Sequence, residues 1–74
     1  RRVITDVFNM WPDGRTFRSK ALKKGADKYG GVSTESVRKY LKLFMQDGYV
    51  TSVRTDSYGY DIYKKLKDAP SALQ

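Results

Sequence analysis

Arg38, Lys39 and Lys42 fall within five residues, just behind Ser33, Thr34, Glu35 and Ser36. That run of small polar residues is able to cap and open a helix. Upstream, Arg15, Arg18, Lys20, Lys23, Lys24 and Lys28 stand with a single acid, Asp27, among them. Cations at this density favour a polyanionic partner. Arginine presents a planar fork of donors that matches two acceptors on one guanine edge, whereas lysine offers a compact charge suited to a phosphate. The same residues would serve equally as the solvated sides of two helices.

Other chemistry has little to work with. The 74 residues include no histidine and no cysteine. No glycine-rich phosphate loop is present, and the carboxylates are scattered rather than paired along one predicted face. An enzyme is therefore not expected, nor a metal or any other cofactor. Without cysteine there is no disulfide, which fits a reducing compartment. No apolar run is long enough for a membrane span or a signal peptide, so no membrane partner is expected. The expected setting is cytoplasmic and nucleoid-associated, or nuclear, and not secreted. Fifteen Lys and Arg against eight Asp and Glu leave a net charge of +7 on a small surface. A hydrophobic share of 39% and an aromatic share of 14% support a fold rather than disorder. The length allows one domain. The chain begins at Arg1 rather than a methionine, which fits a piece of a longer protein.

The elements that must carry these side chains can be read from spacing. Val3, Ile4, Val7, Phe8, Met10 and Trp11 recur at three and four residues, as in an amphipathic helix, and Pro12-Asp13-Gly14 ends it. Arg15-Thr16-Phe17 can pair with a later hairpin as its third strand. Ser19 is placed to cap a second helix whose apolar side holds Leu22, Ala26 and Tyr29, with Lys20, Lys23, Lys24 and Asp27 opposite. Gly25 beside that apolar side suggests either a close helix crossing or a break in the helix at that point, and Gly30-Gly31 stops the helix. Ser33 or Thr34 caps a third helix, residues 33–48, with Val37, Tyr40, Leu41, Phe44 and Met45 as its apolar stripe. Leu43 falls near the polar side and is unexplained by that register. Residues 49–66 read as a hairpin turning at Asp56-Ser57-Tyr58-Gly59, and residues 67–74, with Pro70, as a flexible tail or linker. The domain is thus expected over residues 1–66.

Val32-Ser33-Thr34-Glu35-Ser36-Val37 followed by Tyr40-Leu41, then Phe44-Met45-Gln46-Asp47-Gly48-Tyr49-Val50, resembles the pattern of winged helix-turn-helix DNA-binding domains. The likeness is at superfamily level and covers residues 3 to 66. It implies an α+β fold of three helices and a short three-stranded antiparallel sheet, in the order helix, strand, helix, helix, strand, wing, strand. It also implies double-stranded DNA as partner, with helix 33–48 in the major groove and the 49–66 hairpin as wing. A transcription regulator, or the DNA-binding part of a larger replication, plasmid or phage protein, is the expected role. In that docking Thr34, Glu35 and Ser36 approach base edges. Arg38 is the candidate for a guanine, and Lys39 and Lys42 meet phosphates. Ser19 and Lys20 would hold a backbone phosphate at the start of the second helix. Arg54, Ser57, Tyr58 and Lys64 are the wing candidates. Winged helices also serve as protein-interaction or RNA-binding modules, and a homodimer or the rest of a larger chain is a further possible partner. Readers of left-handed DNA carry a proline-rich wing, and this hairpin has no proline.

Overall fold

Val3, Ile4, Val7 and Phe8 lie on one side of a helix, and α1 (Val3–Met10) buries all four. The computed structural model describes residues 3–70. After α1 come β1 (Thr16–Arg18), α2 (Ser19–Asp27), α3 (Thr34–Gln46), β2 (Val50–Thr55) and β3 (Asp61–Lys65). The result is an α+β arrangement of three helices and one antiparallel sheet, with β3 central in the order β1-β3-β2. No helix among the described residues is long and apolar enough to cross a membrane.

Gly25 lets the helices close. A Cβ built there would stand 2.7 Å from Val7 Cγ1, so α1 crosses α2 at a point that only a hydrogen can occupy. Leu22 and Ala26, one turn apart on α2, are then fully buried. Phe8 is the centre of the core. Its ring lies 4.7 Å from that of Phe44 on α3 and 6.3 Å, edge-on, from that of Phe17 on β1. Val37, Leu41 and Phe44 form the buried stripe of α3. Met45 was expected on it but is 42% exposed, because about 100° per residue carries it past Leu41 to the helix flank. Tyr29, expected on the apolar side of α2, lies beyond the helix end and is more than half exposed.

The third helix ends at Gln46, two residues before the expected boundary. Gly48 then takes a positive φ of 80°, and Tyr49 N–H donates to Phe44 O at 2.9 Å. This glycine-dependent closure satisfies a free carbonyl and lays Tyr49 against Phe44, with ring centroids 6.3 Å apart. It also aims the chain into β2.

Residues 67–70 depart from the expected loose tail. Asn9 holds Ala69 by both amide atoms: its Nδ2 donates to Ala69 O at 2.7 Å, and its Oδ1 accepts from Ala69 N–H at 2.8 Å. Ala69 is buried in the core cluster. Small size at Ala69 permits that docking, and the remaining tail residues, 71–74, lie outside the described residues.

Phe44→Ala or Leu41→Ala is expected to lower stability by about 2–5 kcal/mol, read from denaturant melts. Gly25→Ala, which at most helix sites gains about 1 kcal/mol, is expected here to lose about 1–3 kcal/mol. The loss should shrink when Val7→Ala is added, since that change removes the atom in the way.

Candidate nucleic-acid interface

At 3.6 residues per turn, Ser19, Lys20, Lys23, Lys24 and Asp27 share the side of α2 opposite Gly25. They face Thr34, Val37 and Arg38 of α3 across a groove of about 340 Å³. The acid in this groove is already committed. Lys23 Nζ donates to both Asp27 carboxylate oxygens, at 3.2 and 3.0 Å, and Val32 N–H donates to Oδ1 at 3.4 Å. The bond from Lys23 is the main reason the Asp27 carboxyl sits below its ordinary pKa; desolvation opposes it and Val32 adds to it. Lys20, Lys24 and Arg38 form no ion pair among the described residues. The groove therefore presents three uncompensated cations.

The start of α3 is fixed by Ser33, whose Oγ accepts from Ser36 N–H at 3.1 Å. That hydroxyl also donates to Ser36 Oγ at 3.0 Å, so Ser36 is drawn into the cap and is half-buried. Thr34, Glu35, Arg38, Lys39 and Lys42 are exposed. Thr34 and Arg38 line the groove, while Glu35, Lys39 and Lys42 run along the adjoining outward flank. Burial raises the pKa of the Tyr63 phenol and Asp61 raises it further, whereas Arg38 pulls it down.

Ser19 does not cap α2 as expected. Arg18 holds the cap position with an extended backbone and no side-chain cap bond, and Ser19 is the first helical residue. The cause is that β1 runs straight into α2, so Arg18 is still paired with Ile62 in the sheet. The first-turn amides of α2 are left without a side-chain acceptor, next to the groove.

The β2–β3 turn is held by one carboxylate. Asp56 accepts from Tyr58 N–H at 2.9 Å, Tyr60 N–H at 3.0 Å and Arg18 Nε at 3.0 Å. Desolvation is the largest influence on its pKa and works against ionisation. The two amides and the Arg18 guanidinium together outweigh it and hold the carboxyl below its ordinary value. Gly59 N–H closes the turn on Asp56 O at 3.0 Å. Ser57 and Tyr58 stand at the tip, Tyr58 with 84% of its surface exposed.

The expected site residues thus fall into two groups. Ser19, Lys20, Thr34 and Arg38 meet in the groove, with Glu35, Lys39 and Lys42 beside it. Arg54, Ser57, Tyr58 and Lys64 belong to the hairpin, and Arg54 and Lys64 lie within strands rather than at its tip. Lys23, Lys24 and Val37 also line the groove; the 20, 23, 24, 27 spacing put the two lysines on this side of α2, but they were not among the expected contacts. Of the other upstream cations, Arg15 lies over the Trp11 ring at 4.2 Å and Arg18 is taken by Asp56. Exposed apolar surface lies elsewhere than Leu43, which is half-buried. A hollow of about 310 Å³ lined by Val3, Asp6, Val7, Met10 and Tyr29 opens beside α1. Since α1 meets α2 on its Gly25 side, this hollow is on the far side of α2 from the groove.

In comparisons with known proteins, no family model, no curated protein and no solved structure matches the chain.

Asp56→Ala should strip hydrogen-exchange protection from the amides of Tyr58 and Tyr60 while those of α3 keep theirs. Acidification should do the same. The contribution of Asp56 is full above the unfolded carboxyl value of about 3.9 and is lost as pH falls through the lower native value. Unchanged exchange at both amides in Asp56→Ala would show that the turn does not rely on this carboxylate.

Proposed function

We propose that this is a winged-helix domain that binds double-stranded DNA, with the first two turns of α3 in the major groove and the β2–β3 hairpin as its wing. The element order α1 β1 α2 α3 β2 β3 and the sheet order β1-β3-β2 support the fold reading. The observation that carries the functional reading is the groove between α2 and α3. There Lys20, Lys24 and Arg38 stand uncompensated beside the open amino end of α2 and the exposed Thr34. Phosphate contacts of this kind fix register, and a helix at the right depth then reads base edges. Arg38 reads a guanine, Lys39 and Lys42 hold the groove wall, and the task is transcription regulation or targeting of a larger protein to DNA.

A second reading has its own observation. The hollow at Val3, Val7, Met10 and Tyr29 is apolar surface open to a protein partner, on the side away from the cations.

Titration against duplex DNA, single-stranded DNA, duplex RNA and heparin separates the two. With about five phosphates neutralised, log affinity for duplex DNA falls against log salt with a slope of about −4 to −5. Arg38→Ala costs about 1–3 kcal/mol on a selected site and flattens discrimination at one base pair. Lys42→Ala weakens all sequences alike and lowers the slope by about one. Both variants should melt like the parent. Salt-indifferent binding, or an intact Arg38→Ala variant with unchanged curves on selected and scrambled DNA, would put the protein-partner reading ahead.

A further inference from the structure

The sheet has a second face that the core does not use. Phe17 and Tyr63 pair across β1 and β3 and turn inward, Phe17 into the core and Tyr63 against it. Side chains alternate along a strand, so Thr16, Arg18, Ile62 and Lys64 turn outward. On β2 a bulge at Val53 breaks the ladder between Ser52 and Arg54, leaving Arg54 opposite Ile62 and Thr51 opposite Lys64. Two outward rungs result: Thr16, Lys64 and Thr51 on one, Arg18, Ile62 and Arg54 on the other.

Each rung offers donors and neither contains an acid. The nearest carboxylate, Asp56, engages Arg18 through Nε alone and leaves its terminal nitrogens open. Lys64 and Arg54 are exposed and form no ion pair among the described residues. Ile62 is only 8% exposed yet stands apart from the core cluster. Arg18 and Arg54 border the same hollow as Ile62, and long basic side chains can shield apolar surface with their stems while their heads stay in water. A shallow hollow of about 170 Å³ opens there, lined by Thr16, Phe17, Arg18, Arg54 and Ile62. An apolar floor under guanidinium groups weakens solvent screening and strengthens their pull on an anion. The two rungs are about 7 Å apart along the strands, on the scale of neighbouring phosphates of one nucleic-acid strand.

We infer that this outward sheet face is a second polyanion site, one that takes a stretch of nucleic-acid backbone distinct from the stretch at α3. Arg54 and Lys64 supply the charge, and Thr16 and Thr51 supply neutral donors beside it. Because α3 packs on the core side of the sheet, the two stretches lie on different sides of the domain, on a bent duplex or on two neighbouring segments. The inference rests on nucleic-acid binding as proposed above, but it makes its own demand on residues that α3 does not supply.

Two double variants separate the claims. Arg54→Gln with Lys64→Gln removes the charges while keeping long stems beside Ile62; Lys20→Ala with Lys42→Ala removes one charge from the groove and one from the outward flank of α3. Both are compared with the parent on a duplex of about three helical turns over a range of salt, with thermal melts as the check on folding. The sheet variant is expected to bind more weakly and to lower the salt slope by about two, at about 0.9 for each phosphate no longer neutralised. The charge-preserving pair Arg54→Lys with Lys64→Arg is expected to keep the parental slope. If the double glutamine variant melts low, the single variants Arg54→Gln and Lys64→Gln decide: each is expected to lower the slope by about one, and the inference is overturned if both bind like the parent. A sheet variant that binds like the parent overturns this inference, while weaker binding by the groove variant leaves the α3 reading standing. A groove variant that binds like the parent, with weaker binding by the sheet variant, overturns the α3 reading instead and makes the sheet the binding face. Two unaffected variants overturn both.

Discussion

The ammonium group of Lys65 is the charge that this fold takes out of water, and the positions of most other elements follow from where it goes. Its side chain is fully buried at the end of β3, over the face of Phe8 with 5.0 Å to the ring centroid. Nζ donates to Trp11 O at 2.6 Å and to Asp68 at 2.5 Å, with Asp13 at 3.7 Å. The backbone of the same residue binds Gly14 N–H and Arg15 O at 2.7 and 2.9 Å. A buried ion is costly unless its hydrogen bonds are complete. Completing them here requires the end of α1, the turn after it, the start of β1 and the segment after β3 to converge on one point. A cation at the carboxyl end of α1 is also favoured by the helix dipole. Once β1 is anchored there, its three residues deliver Arg18 to the β2–β3 turn and Ser19 to the groove without a connecting loop.

That direct passage from strand to helix explains how cations close in sequence come to do different things. Arg15, Arg18, Lys20 and Lys23 span nine positions yet end on Trp11, on Asp56, at the groove and on Asp27 respectively. Two of these four are matched by an aromatic ring or an acid outside the groove, and a third is matched within it. Net charge alone would overstate the charge a polyanion meets at α2. Among the described residues, uncompensated cations remain on α2, on α3 and on the outward face of the sheet, and the apolar hollow beside α1 lies across α2 from the groove.

Much of the fold was legible in the chain, because its strongest local signals agree with its packing. Val37, Leu41 and Phe44 at helical spacing, a cap at Ser33 or Thr34 and a glycine at 48 all point to one helix, and α3 follows from them, with Ser33 as its cap. Gly25 was legible as a place where the helix either breaks or is crossed closely, and the approach of Val7 decides for the crossing. Ser19 misled because a strand pairing, invisible locally, makes Arg18 the cap residue. Lys65 and Asn9 were missed altogether. A lysine in a strand and an asparagine in a helix read as solvated, and only tertiary partners more than fifty residues away give them their roles. The candidate site was legible by helix face, which needs only periodicity. Arg54 and Lys64 were named as hairpin candidates, but their common outward face was not legible, since the bulge at Val53 resets the alternation of β2 and leaves no clear mark in composition.

The same bulge matters at the border of the sheet. With the order β1-β3-β2, both outer strands present an unpaired edge among the described residues, and β2 is a six-residue run rich in β-branched side chains. Such an edge is a template on which another chain can add as a further strand, the first step toward aggregation. β1 is too short to template much. On β2 the extra residue interrupts the flat run of donors and acceptors and sharpens the local twist, and Arg54 follows it immediately. An incoming strand would find a register that cannot continue beside a charge that repels a second copy of itself. The irregularity that gives this hairpin its outward arginine therefore also protects a small, strongly basic domain from polymerising through its own sheet.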